Sequence, residues 1–239
     1  MKKEFQRTEI GDKRLVRWLV AGLEIQARRP SQTFFTAAAG DPAMVKGYYR
    51  LIDQLHCDGL TVAAILSGHR YQTLRRISEQ DLVLLIQDGT DINFATHHGC
   101  AGLGLIGRNG QNHAGTLGLH LHSTDAVNGA GVSLGLIRVE FDAPDRRQEK
   151  NKPVRERKSG RWLRALQASA DIAARFADTR LIAVADHEAD FFDFYTTEHT
   201  GLDLLVRAKH NRRLGHGNGK LFDHIQTQSG QGKLTITVA

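Results

Sequence analysis

The chain has 239 residues, 41% hydrophobic and 24% charged, an ordinary globular composition with length for one sizeable domain and a small one. No apolar run is long enough to span a bilayer and MKKEFQRTEIGDKR has no signal-peptide core, so a cytoplasmic protein with no membrane partner is expected. Cys57 and Cys100 stand far apart in no metal-ligand spacing, which sets aside a disulfide framework and a structural zinc site.

Residues 1–79 read as helices. In LVRWLVAGLEIQARR, the residues Leu15, Trp18, Leu19, Gly22, Leu23 and Ile25 approximate a helical stripe. Asp41 followed by Pro42 predicts a helix start, with Asp as N-cap and Pro in the first turn. That helix carries Met44, Val45, Tyr48, Tyr49 and Ile52. Asp58 or Thr61 opens the next, through Val62, Ile65, Leu66 and Leu74. From residue 80 the pattern changes. LVLLI (82–86) is a continuous apolar run, as for a strand buried on both faces, and ends in Gln87 and Asp88. Residues 95–114, rich in Gly, His and Asn, read as a loop. TLGLHLH (116–122) alternates, with Leu117, Leu119 and Leu121 on one side and His120 and His122 on the other. After the turn signal AVNGAG, VSLGLIRVEF resumes from Val132, so a hairpin is expected. Ser159 is predicted to cap a helix with the stripe Trp162, Leu166, Ala170, Ala173 and Phe176. LIAVA (181–185) is a second buried strand, ending at Asp186. A helix over 190–199, a third buried strand LDLLV (202–206) and the alternating KLTITVA complete the chain. Strand, hairpin, helix, strand, helix, strand predicts an α/β fold built on a mixed sheet, and the order is also that of the ribonuclease-H-like fold.

Asp88 and Asp186 each stand immediately beyond an apolar strand core, 98 residues apart. If the two strands are neighbours, the carboxylates converge at one end of the sheet, where their mutual repulsion favours a divalent cation. Two such ions can activate a water and stabilise the leaving oxygen of a phosphodiester. The bland alternative is that each aspartate serves as a turn or N-cap residue. GLGLIG (102–107) matches G-x-G-x-x-G but lies well past the strand and opens no helix, so it lacks the context of a dinucleotide site. The pairs His97/His98 and His120/His122 read as solvent-facing residues rather than metal ligands, and no G-x-S-x-G elbow occurs.

The net charge of +6 is segregated. Residues 1–31 carry eight Lys/Arg against four Asp/Glu, 146–164 nine against two, and 207–220 five against none. Such segments are the footprint of a phosphate-rich partner, with solvated helix faces and loops as the alternative. In VRAKHNRR, Arg207, Lys209, His210, Arg212 and Arg213 follow the third strand near the expected carboxylates, suited to a phosphate backbone or to guarding a sheet edge.

IGDKRLVRWL, KGYYRLIDQ, LLIQDGTDINF, KSGRWL, LIAVADHEADFFDFY and LLVRAKHNR resemble, in order and spacing, the bacterial insertion-sequence transposases related to the Tn-five transposase. The resemblance covers nearly the whole chain. It implies a helical N-terminal DNA-binding domain over 1–79 and an incomplete ribonuclease-H-like catalytic domain over 80–239. It further implies Asp88 and Asp186 as catalytic residues that hold Mg²⁺ or Mn²⁺ for strand cleavage and transfer. The partner it implies is double-stranded DNA of transposon ends, contacted by Arg14, Arg17, Tyr49 and Arg50 on the helices, by Arg161 in KSGRWL, and by Arg207, Lys209 and Arg212. The family places a third acid, a glutamate, on a later helix, and pairs two subunits through a C-terminal region. Both are expected beyond KLTITVA, so the expectation is a C-terminally truncated element. The two expected behaviours are metal-dependent DNA nicking, and salt-sensitive DNA binding by an inactive remnant or regulator of transposition. A small-substrate phosphatase or nuclease is the unrelated third.

Overall fold

The computed structural model describes residues 1–53, 60–97, 99–108, 115–143, 159–215, 219–230 and 232. Cys57, Asp58, His98, most of the basic segment 146–164 and KLTITVA lie outside the described residues.

The N-terminal part holds α1 (Lys2–Phe5), α2 (Lys13–Arg28), α3 (Phe34–Ala37), α4 (Pro42–Asp53) and α5 (Val62–Ile77). Their starts are set by short side chains that satisfy free backbone N–H groups. Asp12 accepts from the Arg14 N–H at 2.7 Å, Asp41 from that of Met44 at 2.9 Å and Thr61 from that of Ala64 at 3.1 Å. Two glycines let α2 approach its neighbours. A Cβ at Gly47 of α4 would meet the Trp18 ring at 2.3 Å, and one at Gly22 would touch Phe34 and Tyr48. Phe34 stacks on Tyr48 with ring centroids 3.6 Å apart. Met44 is buried as expected and Leu51, outside the expected set, is buried with it, whereas Tyr49 and Ile52 of the same helix are exposed.

Helix α5 serves two cores. Ala64, Ile65 and Leu66 pack against a cluster of Phe5, Ile10, Leu19, Leu51 and Leu60. Ile77 and Leu74 join the core of the sheet. Arg76 joins the two parts: it donates to both Glu4 carboxylate oxygens at 2.7 and 3.1 Å and to the Leu134 carbonyl at 2.6 Å. His69 accepts the Leu136 N–H on Nε2 at 2.9 Å and turns Nδ1 to Glu4 at 2.7 Å.

The sheet contains β1 (Leu82–Asn93), β2 (Gly104–Arg108), β3 (Gly115–Asn128), β4 (Ser133–Asp142), β5 (Arg180–Ala185) and β6 (Leu202–Val206). Helix α6 (Gly160–Ala173) precedes β5, α7 (Phe192–Thr196) lies between β5 and β6, and α8 (Leu221–Gln226) follows. The strand order is β2-β3-β1-β5-β6, with β4 also paired to β3. β3 runs antiparallel to β1, β2 and β4, while β1, β5 and β6 are parallel. The hairpin between β3 and β4 turns on Asn128, whose side chain accepts from the N–H groups of Ala130 and Val132, with Gly131 at φ +80.

Four expectations are corrected. GLIGR is not loop but strand β2, because it pairs with the first residues of β3. The helix expected over 190–199 is the short α7. Ser159 precedes α6 without a side-chain capping bond. The strands expected to be buried on both faces are covered on one: Val83, Leu85, Leu181 and Ala183 are fully buried, while Leu84, Ile86, Ile182 and Val184 are half-buried. Trp162, Leu166 and Ala170 of α6 supply that cover, from one side.

Candidate functional site

The histidine reading is overturned. His120 and His122 face α6, not solvent, and are 5% and 0% exposed. The Trp162 ring meets that of His122 edge-on at 4.6 Å, and His120 Nδ1 lies 2.7 Å from Asp91 on the paired strand. Burial pushes the His122 imidazole down to about 4. Gln87 and Thr124, directly paired across β1 and β3, are also buried. Their side-chain polar atoms and both His122 ring nitrogens have no hydrogen-bond partner among the described residues. Beyond them, Glu140 of β4 accepts from Arg138 and from Arg164 of α6. Burial opposes the Glu140 carboxylate, but those guanidinium bonds prevail and hold its carboxyl below the usual range. Nothing in the alternating pattern signalled this polar layer, because period-2 alternation reports two faces without saying which one a helix covers.

Asp88 lies on the opposite face of β1, exposed, and accepts from the Gly89 N–H at 2.8 Å. Asp186 follows β5 on extended backbone, with φ -80 and ψ -172. It accepts from the Glu188 N–H at 2.7 Å and lies 3.2 Å from His187 Nδ1, so it does cap the single 3-10 turn His187–Ala189. β1 and β5 are adjacent and parallel, and every pair from Leu82↔Arg180 to Ile86↔Val184 keeps one offset. Continued two residues, that offset sets Asp88 level with Asp186. Among the described residues no group of three or more His, Cys, Asp or Glu is placed to hold a metal ion.

The basic segment after β6 comes to the same strand end. The Arg207 N–H donates to the Ala185 carbonyl at 3.1 Å, next to Asp186. Arg207 and Lys209 are exposed. Arg212 instead points inward, onto the Asp190 carboxylate and the Tyr195 ring at 5.1 Å. Arg161 is 2% exposed in the first turn of α6, where burial lowers its pKa against the opposing fields of Glu188 and Asp91. On the helical part, Arg14, Arg17, Tyr49 and Arg50 are exposed. The Arg14 guanidinium folds back on Asp12 at 2.9 Å. Arg17 lines a groove of about 800 Å³ together with Lys2, Arg7 and Lys13 over a floor of Val16 and Val20.

A cationic helical unit precedes a mixed sheet that carries Asp88 and Asp186 on two of its interior strands or just past them. Residues 1–57 match the family described as transposase DNA-binding. That stretch contains α1 to α4 and stops short of α5, the helix whose end enters the sheet core. No curated protein matches the chain. The helical part is therefore similar to a transposase DNA-binding domain, and DNA is the partner that this similarity supports. Among the described residues no helix is long and apolar enough to cross a membrane.

Proposed function

We propose that the chain is a DNA transposase of the ribonuclease-H-like class, related to the Tn-five group, that binds double-stranded transposon ends and cleaves them at a site built on Asp88 and Asp186. The observation that carries this reading is the parallel register of β1 and β5, which, carried two residues past Ile86↔Val184, aligns Asp88 of β1 with Asp186 just beyond β5, in a chain whose first 57 residues match a transposase DNA-binding family. The strand directions support the class: β4, β3 and β1 are antiparallel, and β1, β5 and β6 are parallel.

Two oxygen-only donors, the exposed Asp88 within β1 and the half-buried Asp186 just past β5, fit Mg²⁺ or Mn²⁺, which use one or two carboxylates and leave positions for water and phosphate oxygens. A bound ion supplies charge stabilisation to the phosphorus centre and a more acidic attacking hydroxyl. Asp88 and Asp186 orient the site from two strands, and each keeps one oxygen on a backbone N–H that fixes its rotamer. Arg207 and Lys209 hold the phosphate backbone beside it, while Arg14, Arg17, Tyr49 and Arg50 contact DNA further away. Arg161 and Arg212 act inside the fold.

The test is nicking of supercoiled DNA in Mn²⁺ by the chain and by Asp186→Ala. Nicking lost in the variant supports the enzyme. A second reading, a DNA-binding protein without cleavage, is favoured by the lack of a third ligating side chain beside the pair among the described residues. It predicts no nicking by either protein and a DNA shift by both. Its affinity falls with salt, and Lys209→Ala lowers the slope of log affinity on log salt by about 0.9. Failure to shift DNA at low salt sinks both readings.

A further inference from the structure

The Asp190 carboxylate has no exposed side-chain surface. A buried carboxylate persists only where donors replace its water, and Asp190 has four. Tyr195 Oη donates at 2.7 Å, the Lys209 N–H at 2.6 Å, the His210 N–H at 3.2 Å, and the Arg212 guanidinium completes the set. Three of the four come from the basic segment after β6. Two consecutive backbone N–H groups beside a guanidinium form a donor set for an anion, and here the anion is the protein's own.

The segment is thereby tied at two points to the stretch that carries Asp186. The Arg207 N–H is held by Ala185, immediately before Asp186, and residues 209, 210 and 212 by Asp190, four positions after it. Between and at these ties stand the exposed side chains of Arg207 and Lys209. Because Asp190 grips backbone N–H groups, it can fix the path of the segment whatever the side chains at 209 and 210 do. Arg212 spends its charge inside, which leaves Arg207 and Lys209 to face outward.

We propose that Asp190 is a positioning residue, which holds residues 207–212 so that Arg207 and Lys209 meet the DNA phosphate lying beside Asp186. This rests on the DNA reading above. It predicts that Asp190 and Lys209 act on DNA as one unit, which a residue that merely supports the fold does not do.

The test compares the full chain with Asp190→Asn, Lys209→Ala and the double variant, by amide hydrogen exchange and by affinity for a linear duplex at low salt. In Asp190→Asn the amides of 209 and 210 should exchange about tenfold faster or more, with those of β1 and β5 unchanged. Duplex affinity should fall about threefold or more, and adding Lys209→Ala should cost less than it does in the parent chain. Unchanged exchange at 209 and 210 overturns the proposal. So does full additivity of the two substitutions, or loss of protection throughout β1 and β5. If the parent chain binds no duplex, the DNA reading fails and the role in meeting phosphate fails with it. The exchange data alone then decide whether Asp190 places the segment.

Discussion

Replacing His122 by Gln should remove most of the acid sensitivity of this fold between pH 6.5 and 4.5. His122 is 0% exposed, and burial pushes its pKa from 6.5 down to about 4. In that interval the unfolded chain binds a proton that the folded chain refuses, so stability rises with pH. A single histidine with these two values makes the folded state lose about 2 kcal/mol on going from pH 7.5 to 5, and about 3 kcal/mol by pH 4. Glutamine has a similar volume and does not titrate, so it keeps the fill beside Trp162 while removing the linkage. Glu4 and Glu140, whose carboxyls are held below 4.5, exert their effects at more acid pH. Urea unfolding at half-unit pH steps measures the slope for both proteins. A variant that keeps the parent slope between pH 5 and 6.5 refutes the assignment, as does an imidazole NMR titration of His122 centred near 6.5.

Glu4→Gln should cost about 1–2 kcal/mol at pH 7, since it weakens partly exposed charge-assisted bonds to Arg76 and His69. The Arg76 hydrogen bond lowers the Glu4 pKa against the effect of burial. Its contribution is therefore complete above 4.5 and lost as pH falls through the folded value, so the unfolding curves of parent and variant should converge in acid. Gly47→Ala forces a Cβ to within 2.3 Å of the Trp18 ring and should destabilise the helical part by about 1–3 kcal/mol. Thermal melts followed by Trp fluorescence, with a matched loss of DNA affinity, check it.

What could be read from the sequence depended on whether the signal was local. Asp41 and Thr61 cap helices through bonds to residues three positions on, so the sequence showed Asp41 directly and Thr61 as one of two candidates beside Asp58. The hairpin was equally visible, because Asn128 and Gly131 make the turn by themselves. The offset of Asp88 and Asp186 was also in the sequence, but its meaning needed the adjacency of β1 and β5, a long-range fact. His120 and His122 were misread because α6, forty residues on, decides which face of β3 is covered. GLIGR was read as loop because five residues with two glycines carry little strand signal until β3 is beside them. The inward turn of Arg212 was hidden for the same reason: its partner, Asp190, precedes it by 22 residues.

Helix α5 gives the molecule a property that neither core has alone. Its first turns complete the packing of the helical part and its last turns close the sheet, with Arg76 spanning Glu4 and Leu134. Sixteen residues of one helix cannot melt at one end and keep full register at the other without breaking that bridge. The two parts are therefore thermodynamically fused. Heating should give a single calorimetric transition, and strain placed on the helical part should be felt as loosened amides in β4.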